Sequence, residues 1–174
     1  KYDITDKLLV NTGINFNYFA LNSEFLTEPR IALRWNFVQH QALSIGYGKH
    51  SQMEELRMYF IDYSVSGEKQ YPNKNLSLAK AHHLILGYDW NISNYLRLKI
   101  EPYYQYLYDV PGIKDSSWSM INFEQDWSFR NTLVNNSVGK NLGIDITLER
   151  FLNNNYYYLI TASIFKSEYR GGDG

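Results

Sequence analysis

Cysteine is absent from this sequence. That excludes a disulfide framework and a thiolate metal site, and it leaves the redox compartment unspecified. Charge of one sign is lacking too: the formal net charge is −1 over 174 residues, so there is no electrostatic footprint for a nucleic-acid partner. No apolar run approaches the ~20 residues of a transmembrane helix. A helical membrane protein is thereby excluded, but a β-barrel is not, because its apolar and polar residues alternate and cancel in any average. Neither a phosphate loop nor a dinucleotide fingerprint is present, and no cofactor is expected. The pattern is already running at Lys1-Tyr2-Asp3, which leads to the expectation that the chain carries no signal peptide.

Aromatic residues, by contrast, are abundant: sixteen Tyr, nine Phe and four Trp. Tyr and Trp suit places where one end of a side chain is dry and the other wet. The most informative stretch is Leu96 to Asp109. Leu96, Leu98, Ile100, Pro102, Tyr104, Tyr106 and Tyr108 alternate there with Arg97, Lys99, Glu101, Tyr103, Gln105, Leu107 and Asp109. A strand sends successive side chains to opposite faces, so one face is apolar to aromatic and the other largely charged or polar. A helix would scatter the charges and be broken by Pro102. The strand is also long: ordinary strands run about 5–6 residues, whereas membrane-spanning ones need roughly 9–11.

Six further segments repeat the design. After a turn-like start at Asp3, Thr5 and Asp6, a strand is predicted from Leu8 to Ala20. Others follow at Arg30–Val38, from Ala42 to His50, at about Lys80–Trp90, at Asn141–Phe151 and from Tyr156 onward. Tight turns at 39–41, 91–95 and 152–155 alternate with longer connections at 21–29, 51–79 and 110–140. Within 51–79, Met58-Tyr59-Phe60-Ile61 reads as a strand-like extension. Short turns on one side and long loops on the other is the habit of outer-membrane barrels. Trp35, Phe37, Tyr88, Trp90, Tyr95, Phe151, Tyr156, Tyr157 and Tyr158 all cluster beside the tight turns, where one aromatic girdle would lie. Seven strands are an odd number and an open edge cannot face lipid, so the expectation is one partial barrel domain over residues 1–174, a slice of a larger antiparallel up-and-down barrel.

Several motifs resemble the C-terminal half of the barrel in TonB-dependent outer-membrane receptors of the Bacteroidota type. Pro72-Asn73-Lys74-Asn75-Leu76 before Leu84-Ile85-Leu86-Gly87-Tyr88 resembles that family's Asn-Pro-x-Leu-x-Pro-Glu lead-in to a strand, with the Pro displaced and no acidic residue at Ala79-Lys80. Tyr103 to Val110 is similar to a strand leaving into an outer loop. Gly143-Ile144-Asp145-Ile146-Thr147-Leu148-Glu149 resembles the family's Gly-x-Glu strand, and Glu28-Pro29-Arg30 before a strand also fits. The resemblance implies a 22-stranded barrel with an N-terminal plug, importing a scarce nutrient (siderophore, glycan, peptide or vitamin class). It further implies outer-membrane lipid, the plug, a TonB energy-coupling protein and a surface lipoprotein as partners; plug and coupling segment are not in this sequence.

Candidate lumen-facing ligand residues are His83, Arg97, Lys99, Glu101, Gln105, Asp145 and Glu149. Arg97, Lys99 and Glu101 read first as a solvated wall, with a substrate role as the alternative. Asp145 and Glu149 share a face but lie roughly 13 Å apart at ~3.3 Å per residue, too far for a glycosidase acid/base pair. His82 and His83 point to opposite faces, which disfavours a metal site. Asp115-Ser116-Ser117 has no partner His, and no catalytic residue is assigned. Two rival readings stand beside the importer: a soluble β-sandwich carbohydrate-binding module, since sandwiches alternate too, and a barrel with an adhesin or export role.

Overall fold

A computed structural model describes residues 1–124 and 126–173. Ten strands follow in chain order: β1 (Tyr2–Thr5), β2 (Leu8–Phe19), β3 (Glu24–Val38), β4 (Gln41–Gln52), β5 (Tyr63–Val65), β6 (Glu68–Gln70), β7 (Ala79–Ser93), β8 (Leu96–Gly112), β9 (Val134–Asn153) and β10 (Tyr156–Arg170). Eight of them form one antiparallel sheet in the order β1-β2-β3-β4-β7-β8-β9-β10. Every long strand pairs with its sequence neighbour in this sheet, which is up-and-down topology. Strands β5 and β6 form a separate hairpin, closed by Ser66 and Gly67 at φ 53° and 87°. Those angles suit a two-residue turn whose twist matches its strands.

All seven predicted strands are present, and their register sorts the residues into two faces. Across β4, β7, β8, β9 and β10 the directly paired row Ile45–Leu86 continues, two residues along, as Tyr47–Leu84–Tyr104–Leu142. Beside it run Ile100–Ile146–Ala162 and Leu98–Leu148–Ile160. No other layer of the described chain covers this face: Leu142, Ile144 and Ile146 are 59%, 46% and 39% exposed. On β9 the uncharged band lies between Lys140 and Arg150. Ten residues at ~3.3 Å span about 33 Å, which at a tilt near 40° projects to about 25 Å, the height of a barrel's apolar band.

Four expectations need correction. The start is not a turn but β1, paired through Tyr2–Val10 and Asp3–Leu9; the turn falls at residues 6 and 7, where the Lys7 and Leu8 N–H groups donate to Thr5 Oγ1. The connection at 21–29 is mostly strand. Pro29, the expected end of that connection, sits within β3 opposite Ile14, and Phe25 and Leu26 pair with Tyr18 and Asn17. Met58-Tyr59-Phe60-Ile61 is not strand-like: Leu56–Tyr59 is a helical turn, whose apolar run packs into a local core instead of a sheet. The 110–140 loop is shorter, because β8 runs to Gly112 and β9 starts at Val134. With β1 the sheet has eight strands, so the odd count disappears; its edges β1 and β10 are not paired to each other. Pro102 does what a proline must in a central strand. The β7–β8 ladder skips from Ile85–Tyr103 to Tyr88–Ile100 around it, because Pro102 offers no N–H.

Candidate functional site

The polar face carries the site residues, and register places all seven candidates on it. His83 opposes Gln105, Arg97 opposes Glu149, and Glu101 opposes Asp145, with Lys99 between Asp89 and Thr147. They form three hydrogen-bonded groups. Near the tight turns, Asp89 is buried between two guanidiniums: Arg34 Nη1 donates to it at 2.6 Å and Arg97 Nε at 2.9 Å. Arg97 also lies 4.0 Å from Glu149. One level further, Lys99 pairs with Glu101 at 2.6 Å, and Ser163 Oγ donates to Asp145 at 2.6 Å. Higher still a relay crosses four strands. Gln105 Nε2 lies 2.6 Å from His83 Nε2, Asn141 Nδ2 donates to Gln105 Oε1 at 2.6 Å, and Ser167 Oγ donates to Asn141 Oδ1 at 2.7 Å. The His50 ring stands edge-on to His83, with centroids 4.8 Å apart.

Between these polar levels lies an apolar one formed by Ile85, Tyr103 and Phe165 around Gly143. A Cβ on Gly143 would sit 2.6 Å from Tyr103 Oη and 2.8 Å from Phe165 Cβ. Glycine there lets the tyrosine ring lie across β9.

Asp89, Arg34, Asn141, Ser163, Ser167, His50 and Glu28 were not among the candidates. Alternation places each on the correct face; their partnerships lie 8 to 55 residues away in the chain and depend on register. Glu28 is the other buried carboxylate, accepting from Asn15 Nδ2 at 3.1 Å and from the Ser51 N–H at 2.8 Å. Asp89→Asn is expected to lower unfolding free energy by about 1–2 kcal/mol. That is the lower part of the range for charged hydrogen bonds, because Arg34 and Arg97 are 40% and 33% exposed and regain water. Denaturant midpoints of the two proteins check this.

The long loops at 53–78 and 113–133 are one packed unit. Met58, Tyr59, Ile61, Leu76, Phe129 and Leu133 form a buried core, joined by Phe19, Leu21, Ile113, Trp118, Met120 and Phe123. Fully buried Asn73 ties the loops together: its Nδ2 donates to Asn131 O at 3.0 Å and its Oδ1 accepts from the Leu133 N–H at 2.8 Å. Both loops lean over the polar face. Tyr59 packs edge-on against Phe19, Ile121 lies over Gly139, where a Cβ would meet its Cδ1 at 2.9 Å and Leu107 Cδ1 at 3.3 Å, and Asn122 Nδ2 donates to Tyr169 Oη at 3.2 Å. Phe19, Gly139, Leu107 and Tyr169 all belong to that face by register.

In the β5–β6 hairpin, the Lys69 ammonium 2.9 Å from Asp62 holds that carboxyl below the usual aspartate value and raises the lysine. A depressed folded pKa stabilises above the unfolded value of 3.8 and is lost as pH falls through the folded one. The lysine's share is lost as pH rises past 10.5. Protection of the 63–70 amides, each rate taken relative to its intrinsic exchange rate at that pH, should therefore fall below pH 3.8 and above 10.5 relative to protection in β8. Burial and neighbouring Glu55 push Glu54 up, so its carboxyl favours the folded loop below 4.5 and less as pH rises.

His82 and His83 do diverge: His82 stacks between Tyr47 and Tyr108 on the apolar face, and His83 joins the polar relay. Among the described residues no group of three or more His, Asp or Glu side chains is arranged to hold a metal, and no helix is long and apolar enough to cross a membrane.

The fold is thus a long-stranded, up-and-down antiparallel sheet, aliphatic on one face and hydrogen-bonded polar on the other. Two solved structures share it. The outer membrane transporter YddB from Escherichia coli superposes with a TM-score of 0.69 at 18% identity, over 94% of this chain and 23% of that one. The FrpB iron transporter from Neisseria meningitidis (F3-3 variant) superposes with a TM-score of 0.54 at 13% identity, over 84% of this chain and 20% of that one. The chain thus spans about a fifth to a quarter of the length of these transporters. No protein-family model and no curated protein matches it.

Proposed function

We propose that this chain forms part of the wall of a TonB-dependent outer-membrane receptor, in the C-terminal part of the barrel and of the Bacteroidota type. It would serve import of a scarce nutrient and have no catalytic role. The observation that carries the reading is the two-sided sheet. One face is bare of charge over about 25 Å and uncovered by any layer; the other is crossed by hydrogen-bonded rows and roofed by the loops. Such a sheet in water would expose far more contiguous apolar surface than soluble proteins tolerate. In a bilayer that surface is solvated by hydrocarbon, and the polar face meets an aqueous lumen or a plug domain. His83, Arg97, Lys99, Glu101, Gln105, Asp145 and Glu149 would then contact plug and passing ligand. The loops at 53–78 and 113–133 would stand at the external mouth, within reach of a surface lipoprotein.

The Bacteroidota assignment and the C-terminal position are supported by the motifs around Pro72, Tyr103 and Gly143. FrpB is named an iron transporter, and iron is the nutrient that a siderophore carries. This chain has no cysteine, so once any cysteine elsewhere in the intact protein is replaced, a single cysteine placed in the chain reports cleanly. In the intact protein in outer membranes, Ile144→Cys and Ile146→Cys should resist a water-soluble maleimide and contact lipid-phase quenchers, whereas Asp145→Cys and Thr147→Cys should do the reverse. Uniform labelling of all four, or a water-soluble monodisperse protein, would overturn the wall in favour of a sandwich.

A further inference from the structure

The aliphatic face does not fade evenly at its loop-side border. It ends on a basic and aromatic row fixed by register: Lys49 opposes His82, His82 opposes Tyr106, Tyr106 opposes Lys140, and Lys140 opposes Glu168. The row one step inward is Tyr47, Leu84, Tyr104 and Leu142, followed by Lys166 on β10. Four rings are stacked along the border. His82 lies between Tyr47 and Tyr108 at 5.9 and 5.1 Å, with interplanar angles of 18° and 11°, and Tyr108 stacks on Tyr106 at 6.0 Å. Tyr47 Oη is 2.8 Å from His82 Nδ1, which fixes the imidazole in the slab. Beside the stack, Tyr106, Val138, Lys140, Glu168 and Arg170 line a shallow hollow.

Charge on this border is one-sided. Lys49, Lys140, Lys166 and Arg170 face a single carboxylate, Glu168, which Lys166 holds at 2.6 Å. Lys80, on the same face one step outward, is already shared between Glu24 and Asp109, each at 2.9 Å. Lys49 and Lys140 make no ion pair among the described residues. The border at the tight turns differs: Arg150 lies over the Tyr156 ring at 4.3 Å, among aromatic residues. A wall needing only hydrocarbon solvation has no use for unpaired cations at one rim. Long basic side chains at a hydrocarbon edge carry their heads to the headgroup layer, where they attract anionic groups.

We infer that the Lys49–His82–Tyr106–Lys140 row, with Arg170, is a binding site for lipid of net negative charge, an anionic phospholipid. Headgroup phosphates lie along this row, against Lys49 at one end and against Lys140 and Arg170 at the other, with acyl chains over the Tyr47, Leu84, Tyr104 and Leu142 row below. This inference rests on the wall reading, and its test separates the two. The intact protein is reconstituted into vesicles, then solubilised and titrated with phosphatidylglycerol or phosphatidylcholine, with retained lipid counted by native mass spectrometry. Phosphatidylglycerol should be retained and phosphatidylcholine not. Lys49→Gln and Lys140→Gln should each weaken retention about fivefold, as expected for one cation near an anionic surface, while Lys69→Gln, in the loop hairpin, should leave it unchanged. Insertion with equal retention of both lipids, or with no effect of the two substitutions, overturns the site and leaves the wall standing. So does displacement of the lipid by equimolar inorganic phosphate, which would mean that no acyl chain is held. Failure of the protein to enter vesicles overturns the wall itself.

Discussion

Tyr59→Ala is expected to cost about 3–5 kcal/mol of local stability, the range for removing a large aromatic side chain from a packed core. Tyr59 is fully buried. Its ring meets Phe19 at 5.2 Å, its hydroxyl accepts the Glu54 N–H at 3.4 Å, and it sits in the core shared by both loops. The loss should therefore appear as protease cleavage within 113–133 as well as within 53–78, although only the latter holds the substitution. The strands keep their own hydrogen bonds and should stay resistant. Cleavage confined to 53–78 would mean that the loops are independent. Burial also raises the Tyr59 hydroxyl above its ordinary value of 10.0, so the neutral phenol favours the closed cap below that pH. The contribution fades as pH rises through the higher folded value.

Ile146→Arg should cost about 2–4 kcal/mol of unfolding free energy in lipid, the penalty for a cation at mid-depth on a barrel's outer face. Ile146 pairs with Ile100 and Ala162 and lies between the flanking cations Lys140 and Arg150. Its neighbour Asp145 is on the other face with Ser163, and Asp145→Asn keeps an acceptor there, so it should cost much less. Denaturant unfolding of the intact protein in vesicles gives both numbers. Equal penalties would contradict the assignment of the faces. In water alone, the ranking should also collapse, because the arginine would simply be hydrated.

Much of this architecture is legible in the residues taken one at a time. The alternation in 96–109 and 141–151 identifies strands and sorts Arg97, Lys99, Glu101 and Asp145 onto one face, since the period of a strand is local geometry. The Asn154–Asn155 turn is legible for the same reason: both adopt positive φ, at 52° and 67°, which asparagine tolerates. Failures occur where a local signal has two readings. Pro29 closes the expected 21–29 connection but is accommodated within β3, and Met58 to Ile61 is an apolar run that a strand or a buried turn would satisfy equally.

By itself, then, the sequence determined the seven long strands, their two faces and the side of the sheet on which the connections are long, because each follows from side-chain direction along a single segment. Tertiary structure alone decided that Asp89 lies between Arg34 and Arg97, that Asn73 bridges two loops, and that Lys49, His82, Tyr106 and Lys140 stand in one row. Those relations join residues 8 to 60 positions apart. They depend on the register of successive ladders, and a slip of one residue in any ladder would turn the strands beyond it to the opposite face.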